Sequence, residues 1–148
     1  QHVLDPLHGY MLLAKNLFHH PKKFSEAWNF GPATNDIQSV KNVLNQFKKS
    51  FPKISVNHVN EVYVEQKLLL LDSTKSCSRL GWKPQMKFEE AVEQTAEWYK
   101  VFLSTPDEIN SFTTAQINRY LGEKTNNFSG FFTKKESLNI SSQHQLIE

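Results

Sequence analysis

The apolar positions of this chain fall partly in helical register and partly in short runs. Leu7, Tyr10, Met11, Ala14, Leu17 and Phe18 recur at the spacing of one helix face. Asp5-Pro6 opens that helix: Asp5 is expected to accept from the free first-turn N–H groups, and Pro6 has no N–H to leave unpaired. His19-His20-Pro21 closes it, because the residue before a proline avoids helical geometry. Residues 27–30 read as a strand ended by Gly31-Pro32. Val40, Val43, Leu44 and Phe47 predict a second helix, with Ser39 placed as its N-cap and Lys48 and Lys49 at its negative end. Ile54 and Val56 alternate with polar neighbours, as in a half-buried strand. After a polar connection over 57–61, residues 64–71 read as a strand buried on both faces. Asp72 or Ser73 is expected to cap a short helix that Gly81 stops in the left-handed conformation. Phe88, Ala91, Val92, Thr95, Trp98, Tyr99 and Phe102 form the stripe of the longest helix. Thr113 and Gln116 have capping-box spacing and Phe112 and Ile117 can staple across it, which predicts a last helix from near Thr113 to near Gly122.

These elements predict an α/β fold, with short strands and helices packed around Trp28, Trp82 and Trp98. Beyond Lys124 the periodicity is lost and polar residues dominate, interrupted by Phe128, Phe131 and Phe132. The expectation is one folded body over 1–121 and a polar, flexible tail over 122–148. A chain of 148 residues is usually one domain and can bury a core. The 17 basic and 15 acidic residues are dispersed and leave a net charge of +2, so no clustered basic face argues for nucleic acid. No apolar run approaches the ~18 residues of a membrane span.

Cys77 is the one cysteine, which excludes an internal disulfide and fits a reducing cytoplasm. It reads as a small apolar residue, since nothing nearby in sequence would depress its pKa. Without a secretory signal, the sequons at Asn127 and Asn139 read as chance matches. No metal is expected: His19 and His20 are adjacent and lack the one-turn spacing of paired ligands, and His58 and His144 lack neighbours of the right type. The chain opens on Gln1, a few residues before its first helix, as a piece of something larger would.

Five segments carry a resemblance. QHVLDPLHGYMLLAKNL at the start, AWNFGP at 27–32, EQKLLLLDSTKSCSRLGWKP at 65–84, AEWYK at 96–100 and FTTAQINRY at 112–120 resemble the last portion of CDP-glucose 4,6-dehydratases. These are extended short-chain dehydrogenase/reductases of the NAD-dependent epimerase/dehydratase family. LGWKP and EWY are shared among many nucleotide-sugar enzymes, whereas QHVLDP and WNFGP are narrower signals. The resemblance implies the C-terminal, substrate-binding part of such an enzyme, with the Rossmann half missing. In that family, NAD takes hydride from C4 of the sugar, water is eliminated across C5–C6, and the hydride returns to C6. A lyase of deoxysugar and polysaccharide biosynthesis, acting on CDP-glucose, is the implied parent.

That chemistry needs a glycine-rich turn at a helix N-terminus for the pyrophosphate, and a tyrosine made acidic by a lysine. The glycines here are Gly9, Gly31, Gly81, Gly122 and Gly130, too scattered for such a turn. Tyr63/Lys67 and Tyr120/Lys124 match Tyr-x-x-x-Lys, but the first precedes a predicted strand and the second sits at a helix end. No catalytic residue is assigned, and the chain alone is expected to be inactive and to bind no NAD. The resemblance leaves a substrate wall of Asn29, Glu65 and His2. Asn29 could donate to a phosphate or base edge, or bond its own turn. The family's arginine before His2 is absent, and its frequent histidine before Glu65 is Val64. The alternative readings are a non-catalytic module that pairs with a separate Rossmann half or with itself, and a remnant of a degraded gene.

Overall fold

The computed structural model describes residues 1–57 and 70–122. Among the described residues six helices follow in order: α1 (Leu4–His19), α2 (Pro21–Phe24), α3 (Val40–Ser50), α4 (Thr74–Leu80), α5 (Phe88–Ser104) and α6 (Ile109–Gly122). Short 3-10 turns occupy Thr34–Asp36 and Pro106–Glu108. Helix α5 is the spine, with α3 and α6 against it, while α1 rests on α2 and α4.

Local signals set several boundaries as expected. Ser39 Oγ accepts from Asn42 N at 3.2 Å and starts α3. Asp72 Oδ1 accepts from Thr74 N at 2.9 Å at the head of α4. Gly81 ends α4 at φ 66°, where a side chain would be strained. Helix α1 stops at His19, one residue before His20-Pro21.

The strands do not form among the described residues. Residues 27–30 make an irregular strap, and side chains of the α4 region meet two of its carbonyls and the N–H of Gly31 beyond it. Lys75 Nζ donates to Ala27 O at 2.8 Å, Ser76 Oγ donates to Asn29 O, and Gly31 N donates to Ser73 Oγ at 2.6 Å. With those groups engaged, no ladder is needed. Ile54 N bonds Phe51 O in a turn closing α3, and Val56 lies exposed beyond it. Of the third expected strand, residues 64–69 lie outside the described residues, as do Glu65 and the tail from 123 onward. The described part is therefore helical, not α/β with short strands.

One further expectation fails for a physical reason. Helix α6 begins at Ile109, so Thr113 and Gln116 lie within it and cap nothing. Instead Thr113 Oγ1 accepts from Trp98 Nε1 at 2.8 Å, and Gln116 Nε2 donates to Gln94 O at 2.9 Å. They tie α6 to α5. The apolar stripe of α1 faces outward, as a helix made to pack against another half would leave it: Leu7, Tyr10 and Phe18 are 45%, 55% and 79% exposed. The buried face carries Asp5, His8 and Gly9. Leu7 lies about 200° around the helix from Asp5, so burying one exposes the other.

The core lies where α1, α6 and the loop after α4 meet. Trp82 is fully buried, with Phe30 edge-on at 5.1 Å. Met86, Ala91 and Tyr120 form a cluster joined by Leu4 and Leu121. Trp28 and Trp98, expected as core anchors, are only half-buried. The Trp28 ring is covered by Lys75 and Arg79, both of which pair with Glu26.

Candidate functional site

Asp5 organises the region around the opening motif. Its side chain is fully buried, and it accepts from Gln85 N at 2.8 Å, Met86 N at 3.5 Å and the Tyr120 hydroxyl at 2.8 Å. Its carbonyl accepts from Trp82 Nε1 at 3.0 Å. Asp5 thus joins α1, the GWKP loop and α6, instead of capping α1. The N–H of Leu4, which opens α1, is met by His2, whose Nδ1 accepts from it at 3.3 Å. A carboxylate inside a helix opening looks like a cap from sequence alone. Only the loop brought from 80 residues away reveals its use.

Tyr120 completes one of the two Tyr-x-x-x-Lys matches. Burial, and then its bond to the Asp5 carboxylate, push its phenol above the ordinary 10.0. A proton-abstracting tyrosine needs the opposite shift, so the environment of Tyr120 opposes a catalytic role. Tyr63 lies outside the described residues.

His2 is 7% exposed. Burial holds its imidazole below the ordinary 6.5 against the Asp5 carboxylate, which raises it, while the Gln1 amino group adds to the depression. The two shifts bracket a stability plateau. A depressed histidine contributes stability above pH 6.5 that is lost as pH falls through its folded pKa. A raised tyrosine contributes stability below pH 10.0 that is lost as pH rises through its own. Urea midpoints against pH are expected to decline on both sides, with His2→Phe flattening the acid limb.

Two cavities are relevant, and the first borders His2. One, of about 470 Å³, lies between the start of α1, α5 and α6, and His2, Leu4, Leu7, Trp98, Gln116 and Ile117 line it. The other, of about 440 Å³, lies where the Gly31-Pro32 turn meets Asp72, Ser73 and Thr74, with Cys77 and Lys83 on its wall. There the sequence motifs WNFGP and LDSTK come together. Gly31 makes the approach close: a Cβ on it would sit 3.0 Å from Leu71 O and 3.2 Å from Ser73 Oγ. Replacing Ser73 with alanine is expected to cost about 1–2 kcal/mol, because the buried Gly31 N–H then has no acceptor. Thermal unfolding measures it.

Asn29 is exposed on the strap, with its carbonyl held by Ser76. Neither of the two cavities is lined by Asn29, so the structure does not bring it to His2. Glu65 lies outside the described residues. Sequence reasoning missed Ser73 as the group that fastens WNFGP to LDSTK, and Asp5 as the group that fastens α1 to the GWKP loop and α6. Among the described residues no cluster of three or more His, Cys, Asp or Glu could hold a metal ion. None of the described helices is long and apolar enough to cross a membrane.

No protein-family model matches the chain. A curated relative does: the CDP-glucose 4,6-dehydratase of Salmonella typhimurium is 33% identical over 113 residues, which cover 72% of this chain. The match spans 30% of that enzyme's length. The resemblance read in the motifs is thus borne out, and over most of its length this chain is a relative of one part of a CDP-glucose 4,6-dehydratase.

Proposed function

We propose that this chain is the C-terminal, substrate-side part of a CDP-glucose 4,6-dehydratase-like lyase, whose reaction depends on a nucleotide-binding half that these 148 residues do not supply. The match to part of the Salmonella enzyme carries the reading. The meeting of WNFGP with LDSTK at the Gly31–Ser73 bond supports it, because motifs separate in sequence build one surface. On this reading residues 1–121 form the substrate-side domain, in the cytoplasm. Asn29 would offer its amide to the nucleotide, Glu65 would stand beside it, and His2 would meet an uncharged part of the substrate.

Among the described residues, three glycines speak against an NAD site. Gly9 is filled from outside by the Phe30 ring, Gly31 is closed off by Leu71, and Gly81 ends a helix instead of opening one. None can cradle a pyrophosphate. A chimera tests the reading. The matched stretch of the Salmonella enzyme is replaced by this chain, and dehydration of CDP-glucose is measured. Retained turnover is expected, reduced by the imperfect interface. A chimera that folds and binds NAD but gives no product would refute the assignment.

A second reading rests on α1. Val3, Leu7, Tyr10 and Phe18 are large apolar residues left exposed on one helix and its approach. Such a face favours association, with a Rossmann half or with another copy. Light scattering is expected to show a species larger than 17.2 kDa that Leu7→Glu with Phe18→Glu dissociates. A monomer at all concentrations would count against it.

A further inference from the structure

The first-turn N–H groups of a helix have no acceptor within the helix and must find one outside it. In α1 a single residue meets two of them. His2 O accepts from Asp5 N at 3.1 Å, and His2 Nδ1 accepts from Leu4 N at 3.3 Å. Helix starts are commonly held by Ser, Thr, Asp or Asn oxygens, which accept throughout the neutral pH range. An imidazole nitrogen accepts only while the ring is neutral, since both nitrogens of the imidazolium are donors. Proton uptake at Nδ1 therefore sets an N–H against the Leu4 N–H. The ring is 7% exposed and has little room to turn away. Two charged groups act on it. The Asp5 carboxylate, from the same helix, favours the proton, and the Gln1 amino group opposes it. Both Asp5 oxygens already accept, from Gln85 N, Met86 N and the Tyr120 hydroxyl. The neighbours that α5 and α6 bring to the groove beside His2 are Thr95, Trp98, Thr113, Gln116 and Ile117, none of which titrates near neutral pH.

We propose that His2 is an acid-sensitive latch on the start of α1: the neutral ring holds the first turn closed, and the imidazolium releases it. Gln1, Val3, Leu4 and Leu7 line one side of a groove whose other side carries Trp98, so release loosens the groove at that end. The opening is local, because Asp5 keeps its bonds to the GWKP loop and to Tyr120. Its direction agrees with burial, which holds the histidine below its ordinary 6.5. The closed turn prefers the neutral ring, so it is complete above pH 6.5 and is lost as pH falls through the lower, folded value. Between the two values, opening gains about tenfold for each pH unit, the slope of one proton. The latch stands whether or not the dehydratase reading does.

The test uses the full chain and follows hydrogen exchange by NMR from about pH 7.5 to about pH 4.5. Protection of the Leu4 N–H, corrected for the intrinsic exchange rate, is expected to fall by about tenfold per pH unit below 6.5. The Trp98 indole N–H should shift with the same midpoint as the His2 ring protons. The Trp82 indole N–H, buried on Asp5 O, should stay protected throughout. His2→Asn keeps an oxygen acceptor for Leu4 N but does not titrate, so its protection should be flat across the range. His2→Phe has no acceptor, and its Leu4 N–H should exchange at neutral pH as the native one does in acid. Leu4 protection that persists once the His2 ring protons report the imidazolium overturns the proposal. So does a His2 ring that stays neutral to the acid end, or a His2→Asn chain that opens on the native profile. Loss of Leu4 and Trp82 protection together would mean that acid unfolds the whole body, which also overturns it.

Discussion

Replacing Asp5 with alanine should remove about 3–5 kcal/mol of folding stability, a large share of what a domain of this size has. The carboxylate is fully buried and takes two backbone N–H groups and the Tyr120 hydroxyl. Alanine strands all three donors, and each unsatisfied buried donor costs about 1–3 kcal/mol before relaxation. Water entering the vacated space offsets part of this. Tyr120→Phe should cost less, about 1–2 kcal/mol, because Asp5 keeps its backbone donors. The double variant should then cost less than the two single changes added together, since they share one bond. Urea unfolding followed by near-ultraviolet circular dichroism measures all three. An Asp5→Ala loss below about 1 kcal/mol would mean that the junction of α1, the GWKP loop and α6 is held by packing alone.

The second large effect is expected at Gly9. A methyl group there would come closer than 3.0 Å to Cδ1 and Cε1 of the Phe30 ring. The ring cannot step aside freely. It is 7% exposed, with Trp82 edge-on at 5.1 Å and Tyr10 edge-on at 5.3 Å. Gly9→Ala should therefore cost about 2–3 kcal/mol, even though alanine is the better helix former. Phe30→Leu alone leaves a partial cavity and costs about 1–2 kcal/mol. Combined with Gly9→Ala it should restore part of the loss, because the smaller side chain makes room for the methyl. Thermal melts of the three variants give the comparison. Purely additive losses would show that the helix does not bear on the ring.

What was legible in the sequence follows the range of the interactions involved. Ser39, Asp72 and Gly81 act on backbone groups within a few residues, so their roles at the ends of α3 and α4 could be read directly. The strap at 27–30 could not, because an extended run says nothing about what satisfies it. Side chains of Ser73, Lys75 and Ser76 do so, from more than 40 residues away. Thr113 and Gln116 fooled the local rule for the same reason, since their polar groups serve Trp98 and Gln94 across a helix pair. The α1 stripe was read as one helix face, and the structure leaves that face exposed. Periodicity gives the face, and only the neighbours decide which side is covered. At the candidate site His2 and Asn29 were named, but the bond from Leu4 N to His2 Nδ1 is one that no spacing rule predicts.

The account rests on the separation of a substrate-side surface from the machinery that moves hydride. The purified chain incubated with CDP-glucose and NAD tests this most directly, with the 4-keto-6-deoxy product followed by mass spectrometry. No product above the enzyme-free control is expected at any protein concentration. Steady turnover by the chain on its own would contradict the account.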